Sequence, residues 1–314
     1  MNASSKFAGF TVGLAAVFAL ALGAGAAFGP EDAAPADTHD TSTHDAGSVS
    51  TSDAPAADQT PGGLMVTDSG YTLALDTAQV PAGADVPLRF RILGADGQPV
   101  TRYVDSHDKQ LHLIAVRRDM AGFQHVHPAL DAAGTWSVPL DLTRAGAYRV
   151  FADFTPAGGD GLTLGADLQV AGAYDPQPLP PAAASAVVDG YTVTLGGTLT
   201  PGQASKVTLS VSRDGQPVTD LQPYLGAYGH LVALRAADLG YLHVHPDGHP
   251  GDGVTTPGPG IDFFVTTPSA GDYRLFLDFQ HDGVVRTAEF TPTGGQTPAA
   301  VPAAPEPMPA GHGH

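Results

Sequence analysis

Between Gln110 and Pro128 the chain reads QLHLIAVRRDMAGFQHVHP, and 118 positions later Tyr228 to Pro246 reads YGHLVALRAADLGYLHVHP, with nine of nineteen positions identical. A duplication of this kind means one module built twice, because both copies must satisfy the same apolar pattern. Gly97–Thr101 and Gly215–Thr219 repeat GQPVT at the same offset, so the register extends beyond the motif. Three of the nine shared residues are histidines: His112, His125 and His127 return as His230, His243 and His245.

The 39 Gly, 28 Pro and only 15% charged residues favour many short strands over long helices. In the first copy the alternation and turn chemistry predict strands at Tyr71–Leu75, Val86–Leu93, Leu111–Val116, Phe123–His127, Thr135–Leu140, Tyr148–Phe154 and Leu162–Val170. The second copy predicts a parallel set that includes Tyr241–His245. Seven strands in about 105 residues fit an immunoglobulin-like sandwich. The expected architecture is all-β: two tandem immunoglobulin-like antiparallel sandwiches at residues 66–172 and 188–292, joined by a Pro-rich linker at 173–187.

Residues 7–29 are uncharged and apolar, which makes residues 1–29 a signal peptide or a membrane anchor. Residues 30–65 carry too little apolar mass for a core and read as a disordered linker, as does the His-ending tail 293–314. The expected location is extracytoplasmic, with the membrane touched only through the N-terminal segment. A net charge of −18 disfavours nucleic acid and suits cations. The chain has no cysteine, so any metal must be held by nitrogen, oxygen or thioether groups.

Residues two apart on a strand share a face, so His125 and His127 point the same way, as would His243 and His245. A hairpin through Arg117–Gly122 would bring His112 opposite that pair, and His230 would follow suit. Three imidazole nitrogens leave one coordination position open. The expectation is one three-histidine site per repeat. Asp153 and Asp278 sit in apolar strands, and each needs a partner: a metal, the second N–H of a ligating histidine, or an arginine such as Arg149 or Arg274. His107, Met120, His249 and His281 occur in one repeat only and are not taken as ligands.

The two His-x-His-Pro motifs, the run Asp220–His230 and the closing Asp278–Gly283 resemble a group of bacterial exported, His-rich heavy-metal-binding proteins. The likeness is good over Val188–Phe290 and looser in the first repeat, and it implies an extracytoplasmic role in handling a heavy metal. A more general likeness to copper-resistance periplasmic carriers rests on fold class and histidine content. Met65, Met120 and Met308 are too scattered for a thioether Cu(I) basket, which leaves Cu(II) or Zn(II). The leading expectation is a metal-binding carrier and not an enzyme, since no general base or substrate pocket is legible. The alternative is a cell-surface adhesion or partner-binding sandwich with structural histidines, its protein partners unassigned.

Overall fold

The computed structural model describes residues 60–242 and 244–295. The expected leader, His243 and the tail from 296 lie outside the described residues. Among the described residues no helix is long and apolar enough to cross a membrane.

The first repeat comprises β1 (Thr67–Asp68), β2 (Tyr71–Leu75), β3 (Gln79–Pro81), β4 (Gly83–Leu93), β5 (Tyr103–Val104), β6 (Leu111–Arg117), β7 (Gln124–Val126), β8 (Ala129–Leu130), β9 (Thr135–Leu142), β10 (Gly146–Pro156) and β11 (Leu162–Ala171). The second comprises β12 (Ser185–Val188), β13 (Tyr191–Gly197), β14 (Ala204–Arg213), β15 (Gln216–Pro217), β16 (His230–Arg235), β17 (Tyr241–Leu242), β18 (Val244–Pro246), β19 (Gly260–Thr266), β20 (Gly271–His281), β21 (Val284–Phe290) and β22 (Thr293–Gly294).

Each repeat is a two-sheet sandwich of immunoglobulin type. In the first, β1-β2-β4-β9-β8 faces β3-β11-β10-β6-β7, and β3 joins β11 in parallel. In the second, β12-β13-β14-β19-β18 faces β17-β16-β20-β21. Alternating residues such as Leu88, Phe90 and Ile92, or Val207, Leu209 and Val211, fill the two cores. Early in β10 the Tyr148 hydroxyl donates to the Arg144 carbonyl (2.9 Å), and in β20 Tyr273 donates to Ser269 (2.7 Å). These are the tyrosine corners of this fold, present in both copies. The repeated GQPVT segment does the same work twice: Gly97 and Gly215 adopt φ of +73° and +74°, and Val100 and Val218 return to donate to Ile92 and Val211.

Why β6 and β16 read as almost continuous apolar runs becomes clear from what covers them. All seven residues of β6 are buried, because its inner face packs on its own sandwich and its outer face on the other repeat. Ile114, Val116 and Phe151 of the first repeat meet Val232, Leu234 and Phe276 of the second in a separate apolar cluster. The Phe123 and Phe276 rings stack across it at 3.8 Å. The segment entering the first repeat also crosses this junction. Gly63 N–H donates to the Thr163 carbonyl, and Tyr241 N–H to the Gly62 carbonyl. A Cβ on Gly165 would stand 1.9 Å from the Gly63 carbonyl oxygen, so this close approach requires glycine.

One expected strand is corrected. Tyr241–His245 is not continuous: Tyr241–Leu242 pairs with β16, whereas Val244–Pro246 pairs with β19 in the opposite sheet. In the first repeat the same change of sheet comes later, after Val126, with Ala129–Leu130 pairing to β9.

Candidate metal centre

The β6–β7 hairpin pairs Leu113 with Val126 and Ile114 with His125, and continuing that register sets His127 against His112. The turn between them is fixed by Arg117, whose guanidinium donates twice to Asp119 (2.8 and 2.6 Å), and by Asp119 accepting from Ala121 N–H. Pleating then sends His112, His125 and His127 to the outer face, toward the second repeat. His112 Nδ1 lies 3.1 Å from His125 Nε2 and 3.3 Å from His127 Nε2. Donor atoms of the three rings all fall within 4.8 Å of one another. The trio expected from spacing in the first repeat is therefore assembled.

Two of the remaining ring nitrogens are fixed from outside. His112 Nε2 donates to the Ser106 carbonyl (2.9 Å), and His125 Nδ1 donates to Asp278 Oδ2 (2.8 Å). In the neutral tautomers that make these bonds, His112 Nδ1 and His125 Nε2 each present a lone pair. Burial pushes the His112 pKa from 6.5 down to about 4, aided by the neighbouring His125 and His107, although the Ser106 bond opposes it. Burial, with His125 and His112, takes His127 to about 3.

Asp278 belongs to the second repeat, where its register partner is His230. Its other oxygen accepts from Thr287 Oγ1 at 2.6 Å, so the carboxylate is held from behind while it orients His125. Asp153 is the counterpart opposite His112, held by Thr163 Oγ1 at 3.0 Å. The arginine partners considered for these acids are engaged elsewhere, Arg149 with Asp167 and Arg274 with Glu289.

The second copy of the motif does not mirror the first. His230, on β16, enters the first trio: its ring centre lies 4.8 Å from that of His125 and 5.2 Å from that of His112, nearly parallel to the latter. Burial first, then the surrounding imidazoles, lowers its pKa well below 6.5. His245 is corrected away from the cluster: on β18 it pairs with Phe264 in the opposite sheet and is exposed. The physical reason is the earlier change of sheet, which removes the face shared with β17. His243 lies outside the described residues.

His107, set aside from sequence because one repeat alone carries it, sits on the Ser106–Lys109 turn with its ring 5.3 Å from His230 and 6.0 Å from His112. A cavity of about 590 Å³ opens beside these rings, lined by His107, His112, Asp153 and His230 among others. Met120 is buried in the junction. His281 bridges Tyr191 and Asp220 in the second repeat, and His249 is exposed, so both lie apart from the cluster.

A family described as a domain of unknown function (DUF8832) matches residues 65–172 and again 186–295. No curated protein matches the chain. Solved structures with partial overlap include the adhesin InvE of Yersinia pseudotuberculosis (13% identity, 74% of this chain and 60% of that one, TM-score 0.23). Another is the Escherichia coli adhesin FdeC (17% identity, 76% and 67%, TM-score 0.24). Overlaps of this size bear on neither mechanism nor partner.

Proposed function

We propose that this chain, which belongs to the DUF8832 family through both of its repeats, is an extracytoplasmic binding protein holding one Cu(II) or Zn(II) ion at the junction of those repeats. The family's description names no metal, so the reading rests on the site. One observation carries it: His112 Nδ1 lies 3.1 Å from His125 Nε2 and 3.3 Å from His127 Nε2, with donor atoms of the three rings converging within 4.8 Å. Nitrogens about 2.0–2.1 Å from a tetrahedral ion stand roughly 3.3 Å from each other, close to the separations found here. His112, His125 and His127 would be the ligands. Asp278 would orient His125 and raise its basicity, as carboxylates do behind zinc-bound imidazoles.

Nitrogen donors without thiolate favour Cu(II) and Zn(II), and the exported location follows from the apolar stretch at residues 7–29. The reading stops at binding and assigns no catalysis. Calorimetric titration of zinc or Cu(II) into untagged, metal-free protein should give one saturable site. The triple variant His112→Ala, His125→Ala, His127→Ala should lose it, and unchanged binding in that variant refutes the proposal.

A second reading, a surface adhesion or partner-binding sandwich with structural histidines, is favoured by the hydrogen bonds that already tie His112 to Ser106 and His125 to Asp278. It predicts no metal in the protein as purified and no change in thermal stability on chelation.

A further inference from the structure

The cluster draws on both repeats, and this deepens the metal-binding reading on which it rests. We infer that His230 of the second repeat is the fourth ligand, so that one bound ion is coordinated by both sandwiches and fastens them together.

An imidazole bound at about 2.0–2.1 Å has its ring centre roughly 3.2 Å from the ion, so two such rings on a tetrahedral ion have centres roughly 5 Å apart. Within the trio the spacings are 5.3 Å for His112 and His125, 5.0 Å for His112 and His127, and 4.9 Å for His125 and His127. His230 stands at 5.2 Å from His112 and 4.8 Å from His125, so toward these two members of the trio it keeps the spacing they keep among themselves. Its donor nitrogens are not yet in the group that converges within 4.8 Å, so binding requires a turn of the ring. That turn has room, because the cavity of about 590 Å³ runs past both His112 and His230.

The second repeat is already committed to this site. Asp278, beside His230 in the β16–β20 ladder, holds His125 from across the junction. A ligand from each repeat makes the ion's binding energy depend on docking, and by reciprocity makes docking depend on the ion. His107, farther out on its turn, lines the cavity and is not needed as a ligand. The stoichiometry at the junction is then one ion shared by the two repeats.

Cobalt(II) titration of the full chain tests this through its visible spectrum. Wild type should bind one equivalent with the intense absorption of a tetrahedral centre, and added azide should leave that band unchanged because no position is open. His230→Ala should still bind one equivalent, at least tenfold more weakly, with a band that shifts on adding azide and returns toward wild type with free imidazole. An azide-sensitive wild-type band, or unchanged affinity and spectrum in His230→Ala, overturns the inference and leaves the three-histidine site standing. Failure of wild type to take up cobalt, zinc or Cu(II) removes the metal reading itself, and this inference with it.

Discussion

Asp278 lies in the second repeat and orients a ring in the first, with the His125–Asp278 bond buried on both sides (side chains 1% and 5% exposed). Asp278→Asn keeps the shape and removes the charge, so metal affinity measured by titration should fall about 10- to 100-fold while the fold persists. In metal-free protein the same rings set a pH dependence. The folded pKa values of His112 and His127 lie below 6.5, at about 4 and about 3, so below pH 6.5 the unfolded chain takes protons that the folded one refuses. Stability should be full above about pH 6.5 and fall as pH drops toward 4, by at most about 1.4 kcal/mol per pH unit for each such group. Urea midpoints measured at pH 7.5, 6 and 5 check the sign, and a flat profile contradicts it. Spacing made the first trio legible, since strand alternation and one hairpin suffice to place it. His230 and His107 were not legible in that role, because their contacts come from docking two repeats and not from local periodicity.

Among the elements, the β6–β7 turn does most to position the site. Arg117 and Asp119 are both nearly buried (2% and 8% exposed), and Asp119 also accepts from Gln177 N–H in the linker. Asp119→Ala leaves a buried guanidinium with only the Ala145 and Asp175 carbonyls to donate to, at an expected cost of about 3 kcal/mol by chemical denaturation, with weaker metal binding because the turn that sets the His125 register loosens. The strands expected from alternation and turn residues form to within a few residues, whereas the short β1, β3, β5, β8, β12, β15 and β22 were not among them. The exception was Tyr241–His245, where the chain changes sheet. No local pattern marks that change, since HVHP is identical in both copies and the first changes sheet later. The near-continuous apolar runs at Leu111–Val116 and Leu231–Leu234 were the available signal that both faces of those strands are covered.

For the whole molecule, duplication yields a junction, and among the described residues the histidine trio lies there. The outer faces of two like sheets meet, and a single imidazole cluster forms where they do, with Phe123, Phe151 and Phe276 sealing the apolar part beside it. Phe276→Ala opens that seal and should cost about 3–5 kcal/mol of stability. An ion bound to the folded junction should raise stability by about 2.7 kcal/mol at a free concentration one hundred times its Kd, read as a higher melting temperature that a chelator reverses. Anomalous scattering from crystals grown with zinc would locate the ion and its ligands in one map. The account predicts one strong peak per chain, about 2.0–2.1 Å from His112 Nδ1, His125 Nε2 and His127 Nε2. A map with no peak there, or with zinc only at other histidines, contradicts it.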